Sequence, residues 1–352
     1  MKIFSYSILL LLILILGCQG PLPTEKEGNL ADKTKELPQI NLYSYRYFTT
    51  DQKLFQQFET TYKVKVNVYK ATSEEILAKL EDEQNNPKAD LVLLDHIGFL
   101  EEAKNKGLLQ PFSATQTEEN VADKLKDRDG YWVSVTKDLL AIAYQKESVK
   151  EERLIKLQNL TQSKWKNKIA LSKGTSKYSY ATSLAAMLQE GTIQQARRMT
   201  KTLVSNATIL ENDFEVIKAI ANGEQEVGLV NVSSWVQFTM NGDPENFELG
   251  EKVGLRFPEN KEGRTYFDAA GIGVVKNSPN WEIALSLIDR ITSNNGQTEF
   301  ANTIRAYPVN PMVIPNDFLI GIGGFRETDL SLDQVANSFD EAMSILNETN
   351  WK

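Results

Sequence analysis

From Ile40 onward the chain keeps a rhythm that few folds accommodate: a short apolar strand, a helix with one apolar face, then a strand again. "INLY" is followed by "TDQKLFQQFETTYK", in which Leu54, Phe55, Phe58 and Tyr62 recur at helical spacing. "VKVNVY" alternates as a half-buried strand does. Thr72 and Glu75 then stand at the spacing of a capping box before Ile76, Leu77 and Leu80. "ADLVLLD" reads as a strand buried on both faces, and "IGFLEEAKNKG" as a helix stopped by Gly107. Such alternation predicts a parallel, doubly wound sheet.

The rhythm restarts with "KIALS" (168–172), a helix near 181–190, "ATIL" (207–210), the helix "DFEVIKAIANG" and the strand "VGLVN". Between the two sets, "YWVSVTKDLLAIAYQ" (131–145) is long, β-rich and able to cross from one to the other, and "AAGIGVVKNS" (269–278) supplies a return crossing. The predicted fold is therefore α/β: a two-lobed clamshell, each lobe a mainly parallel sheet, joined by extended crossover strands. Lobe 1 takes 40–135 and 264–312, and lobe 2 takes 136–263 and 313–352. At 352 residues and 39.7 kDa the chain is long enough for two such cores.

The first residues obey other rules. "MKIFSYSILLLLILILGC" holds one lysine and an apolar run from Ile8 to Leu16, far shorter than the ~20 residues that span a bilayer. A charged start, a short apolar segment and a small residue before the cut predict a secretory signal over 1–17. Cys18, the sole cysteine, stands where a lipoprotein signal places the residue that becomes acylated. Residues 18–39 are polar, broken by Pro and Gly, and read as a flexible tether. The expected location is outside the cytoplasmic membrane, anchored through lipid and facing periplasm or cell exterior. A net charge of −8 with no Lys/Arg-rich run excludes nucleic acid as a partner. There is no G-x-S-x-G elbow, no H-E-x-x-H and no cysteine nucleophile in the folded part, so no enzyme and no catalytic cofactor are expected.

Ligands of doubly wound sheets sit at the carboxyl ends of strands. Four strand ends here turn polar: "YSYRYF" after "INLY", "DH" after "LVLL", "SKGTSKYSY" after "KIAL", and Asn231-Val232-Ser233-Ser234 after "VGLV". His96, the only histidine, is expected to serve as a local hydrogen-bonding residue. Gly174, Thr175 and Ser176 precede a helix, where free N–H groups and the helix dipole favour an anion. Asn212 and Asn231 would add neutral donors, with Ser233 and Ser234, and Arg46 and Lys177 positive charge.

The order and spacing of "NLYSYRYFTTD", "KADLVLLD", "GLLQPF", "YWVSVTK", "SKWKNKIALS", "AGIGVVKNSPN", "YPVNP" and "NETNWK" resemble the ferric-iron-binding periplasmic proteins of ABC importers. The resemblance implies a monomeric carrier that closes on Fe³⁺, with a synergistic anion in some members, and delivers it to a permease driven by an ATPase. It also implies a ligand set. Tyr47 aligns where the family often has histidine, Asp95 where some members use glutamate, and Tyr180 with a tyrosine ligand. Tyr45 and Tyr178 are further phenols at the same strand ends. The family's adjacent tyrosine pair aligns with Ser233-Ser234, whose hydroxyls are far poorer anionic donors than phenols with a reference pKa near 10. The same scaffold with a small anionic solute, such as a phosphate ester, phosphonate or carboxylate, is the alternative.

Overall fold

A computed structural model describes residues 37–301 and 306–351. The expected signal segment, Cys18 and nearly all of the expected tether lie outside the described residues. No described helix is long and apolar enough to cross a membrane.

Twelve described strands form two sheets. In chain order they are β1 (Gln39–Ser44), β2 (Lys65–Lys70), β3 (Leu91–Leu94), β4 (Leu109–Gln110), β5 (Trp132–Asp138) and β6 (Leu140–Gln145). Then follow β7 (Ile169–Ser172), β8 (Ala207–Leu210), β9 (Val227–Asn231), β10 (Val253–Arg256), β11 (Asp268–Val275) and β12 (Tyr307–Pro308). The first sheet runs β12-β5-β11-β3-β1-β2, with β4 on β11; the second runs β10-β6-β9-β7-β8. Among the named strands, parallel pairing is confined to the βα units, β1 with β2 and β3, and β7 with β8 and β9. The crossing strands add antiparallel pairs, because a chain that leaves one sheet and returns must run back against its neighbours. Strands with continuous apolar runs are buried throughout, as β3, β9 and β11 are, since helices cover both faces.

Most local signals take the form their chemistry dictates. Thr72 Oγ1 accepts from Glu75 N at 3.2 Å and Glu75 returns the bond to Thr72 N at 2.9 Å, starting the helix Ser73–Asp82. Gly107 adopts φ 67° just past the helix Ile97–Asn105. The helix Thr175–Glu190 begins six residues earlier than the reading from sequence places it.

The segment 131–145 is one crossing in sequence and two strands in space: β5 ends at Asp138, β6 starts at Leu140, and Leu139 alone joins the sheets. The return passes through 257–267 and ends where Asp268 opens β11, opposite Asp138. The helices Leu332–Ala336 and Phe339–Asn347 pack on the helix Thr175–Glu190. Trp351 locks that end of the chain: its Nε1 donates to the Ser172 carbonyl at 2.6 Å. Gly98 lets Phe339 approach the helix Ile97–Asn105, since a Cβ there would lie 2.2 Å from the ring.

Candidate functional site

Where the two crossings meet, the ends of β5 and the start of β11 bring two buried carboxylates together. Asp138 accepts from Leu139 N at 2.8 Å, from Ser233 N at 3.2 Å and from the Ser233 hydroxyl. It so anchors the first turn of the helix Val232–Thr239 to the opposite strand. Asp268 Oδ2 accepts from His96 Nδ1 at 2.6 Å, Thr182 Oγ1 at 2.9 Å and Ser179 Oγ at 3.5 Å. Its Oδ1 accepts from Ile97 N and Ala269 N. One carboxylate thus ties a crossing strand to a helix of each sheet.

Burial pushes the Asp138 carboxyl up to about 6, with Asp268 adding to the shift and the Ser233 and Leu139 donors opposing it. The folded protein keeps a proton there that the unfolded chain loses above the ordinary value of 3.8. Stability is therefore expected to fall as pH rises from about 4 to about 6, by about 3 kcal/mol, and the cost persists above that range. Melting temperatures of Asp138→Asn should lack this decline; parallel curves for the two proteins across pH 4–7 would refute the assignment. At His96, burial pulls the imidazole down, and Asp95 and Asp268 more than offset it, raising it to about 9.

Beside this pair lies an oxygen-rich corner. Asp95 accepts from Ser73 Oγ at 2.6 Å through Oδ1, while its Oδ2 stands 3.7 Å from His96 Nε2. Tyr178, from the helix Thr175–Glu190, reaches the helix Ser73–Asp82 and donates its hydroxyl to Glu74 Oε1 at 2.6 Å. Its ring lies 5.4 Å from the His96 ring and 5.1 Å from Phe99. Burial and Glu74 push the Tyr178 phenol well above its usual value. Half-buried Tyr45 is pushed up to about 12 by burial; Arg46 opposes the shift and nearby Asp95 adds to it. Among the described residues, no three His, Cys, Asp or Glu side chains gather as a metal cluster, so any cation here depends on phenols as well as carboxylates.

The structure places the sequence candidates unevenly. Asp95 is in this corner. Tyr47 is 37% exposed and its ring stacks on Phe55, 6.2 Å away; no described hydrogen bond joins it to the corner. Tyr180 does not face the seam. It is fully buried, its hydroxyl lies 3.0 Å from Thr200 Oγ1, and its ring packs 5.0 Å from Trp351. Because the helix is already under way at Thr175, positions 178 and 180 point about 200° apart, so Tyr178 takes the seam and Tyr180 the core.

The anion candidates are mostly committed elsewhere. Arg46 is buried, paired with Asp51, donates to the Phe300 carbonyl at 3.0 Å and lies 3.8 Å over the Phe300 ring. The corner around Gly174, Thr175 and Ser176 is filled by a carboxylate of the chain itself. Asp213 accepts from Ser172 Oγ, from Thr175 Oγ1 at 3.4 Å and from Asn231 N at 3.2 Å. Ser176 Oγ bonds Ser172 Oγ at 2.8 Å. Asn212 caps the helix Asp213–Ala221 through Glu215 N. Ser233 is engaged by Asp138, and Ser234 Oγ sits 3.5 Å from Thr175 Oγ1. Asn231 Oδ1 is buried without a hydrogen-bond partner. Asp138, Asp268 and Glu74 escaped the reading from sequence. The first two were detectable as lone acids in apolar crossing strands, "TKDLLAIA" and "FDAAGIGVV".

Residues 53–320 match the family described as bacterial extracellular solute-binding protein. The chain belongs to that family. It is 32% identical over 329 residues to iron uptake protein A1 of Synechocystis sp., covering 93% of this chain and 91% of that one. A Trichodesmium protein solved in complex with iron and citrate superposes with a TM-score of 0.83 at 29% identity, over 89% of this chain and all of that one. The ferric binding protein from Campylobacter jejuni gives 0.82 at 26% identity, over 88% and 99%. The fold is thus the two-lobed periplasmic-binding-protein architecture, and the solute-binding family is not one of enzymes.

Proposed function

We propose that this protein is the lipid-anchored solute-binding component of an ABC importer, and that its cargo is ferric iron. The observation that carries the reading is the corner at the seam. The carboxylates of Asp95 and Glu74 and the phenols of Tyr45 and Tyr178 gather there from both sheets. Lys177, one of the two cations expected from sequence, is depressed by burial, while Glu74 opposes. Hard, highly charged cations favour anionic oxygen, and a bound cation reverses the penalty on ionising a phenol. The relatives named for iron uptake and ferric binding support the same reading. Lobe 1, residues 40–135 and 264–312, would close on lobe 2, residues 136–263 and 313–352, by bending at Leu139 and 257–267. Cys18 would hold the monomer at the membrane near its permease and ATPase, on the periplasmic or outer side.

Ser233 and Ser234 stand in place of two phenols and favour the alternative, a small anionic solute. Against it, the donors that would hold an anion are taken by Asp213 and Asp51. A small anion completing the iron's coordination sphere reconciles the two observations, and the citrate bound with iron in the Trichodesmium protein fits it.

The test is a thermal-shift titration with ferric citrate beside phosphate esters, phosphonates and iron-free citrate. Ferric citrate at a hundred times its dissociation constant should add about 2.7 kcal/mol of stability, a rise of several degrees. A shift with the iron-free anions alone would replace iron as the cargo.

A further inference from the structure

Building on the ferric reading, we propose that His96 supplies a nitrogen ligand to the bound iron through Nε2, beside Asp95, and that Asp268 is the positioning residue that aims it. Three observations support this. His96 is buried to about one-fiftieth of its free surface, yet its Nε2 has no hydrogen-bond partner. A buried nitrogen without a hydrogen bond is destabilising, so its retention at the seam calls for a use. The other ring nitrogen is fixed on Asp268 at 2.6 Å, and Thr182 and Ser179 brace the same carboxylate from the opposite sheet. A carboxylate holding one imidazole nitrogen while the second faces outward is how proteins orient a histidine ligand and raise its basicity.

The third observation is the gap. Nε2 and Asp95 Oδ2 are 3.7 Å apart, too far for a hydrogen bond. Protein nitrogen and oxygen ligands lie about 2.0–2.2 Å from a first-row metal, so one ion placed just off the line between the two atoms reaches both. Coordination needs the Nε2 lone pair, so the proton that Asp95 and Asp268 hold on the ring leaves Nε2 for solvent as the ion binds, while the Nδ1–H stays on Asp268. Tyr178, whose ring lies 5.4 Å from the imidazole, closes the same corner. The sequence alignment directs attention to Tyr47 for a histidine-like role; the geometry assigns that role to His96.

The chain offers an unusually clean test, because it contains one histidine. The full chain, made without a histidine tag and loaded with ferric citrate, should show ¹⁴N imidazole modulation in pulsed electron paramagnetic resonance. The modulation should vanish in His96→Gln, with iron affinity weakened by at least the ~10–100-fold that loss of an outer-shell partner alone costs. Asp268→Asn should retain the modulation with an altered coupling, as expected of an orienting rather than a ligating residue. Iron that binds with an oxygen-only signal overturns the assignment and leaves the ferric reading intact. A protein that holds no iron under these conditions fails the ferric reading first, and the assignment with it. If His96→Gln does not fold, the wild-type spectrum still decides, since no second imidazole exists to supply the signal.

Discussion

Asp51→Ala is expected to destabilise the protein by about 3–5 kcal/mol, the largest loss for a single substitution among its polar residues. Asp51 and Arg46 each keep 1% of their side-chain surface, so removing the carboxylate strands a guanidinium in the core. The loss is compounded because Asp51 Oδ2 also accepts from Phe48 N at 2.9 Å, at the start of the helix Thr49–Tyr62. Arg46 cannot escape by rotating, since it is stacked on Phe300 and bonded to the Phe300 carbonyl. Urea denaturation of the apo protein measures the effect. Asp51→Asn should fall between wild type and alanine, because the amide oxygen can still accept from Phe48 N. A loss under about 1 kcal/mol for alanine would mean that Arg46 finds water and that the pair is an exposed one in practice.

Tyr178→Phe is expected to lower ferric affinity by about 100-fold and to weaken the visible tyrosinate-to-iron band to the share left by Tyr45, while Tyr180→Phe leaves both unchanged. The two residues differ by less than one helical turn yet face opposite surroundings: Glu74 and His96 for one, Thr200 and Trp351 for the other. Tyr180→Phe should instead cost stability, about 0.5–1.5 kcal/mol for the hydrogen bond to Thr200. Iron titration followed by absorbance separates these outcomes. An equal band in wild type and Tyr178→Phe would remove Tyr178 from the ligand set.

The pair also marks how far sequence carries an argument about a site. The fold was legible because its signals are local: alternation in "VKVNVY", the Thr72–Glu75 spacing and Gly107 each act within a few residues. Helix phase is also local, but it depends on where the helix begins. Starting the helix near residue 181 instead of at Thr175 left Tyr180 in a loop, where any direction was open. The fates of Ser233 and Arg46 depended on partners. Ser233 reads as a free donor until Asp138, 95 positions away, takes its hydroxyl. Arg46 reads as a cation for solute until Asp51 neutralises it. Asp213 fills the corner at Thr175 from 38 positions away, and no spacing rule announces it. What a strand end presents was readable; whether its donors were already spent was not.

The strand order has a consequence for how the chain reaches this state once exported. All strands of the second sheet come from one continuous stretch, Leu140–Arg256, so that sheet can assemble as soon as its own residues have emerged. The first sheet cannot. Its strand β11 lies between β3 and β5, yet arrives more than a hundred residues after either, and until then both neighbours show bare ladder edges to other chains. Copies that fold close together are thus most vulnerable to pairing with each other in that interval, and the late strand that ends it is the one that carries Asp268.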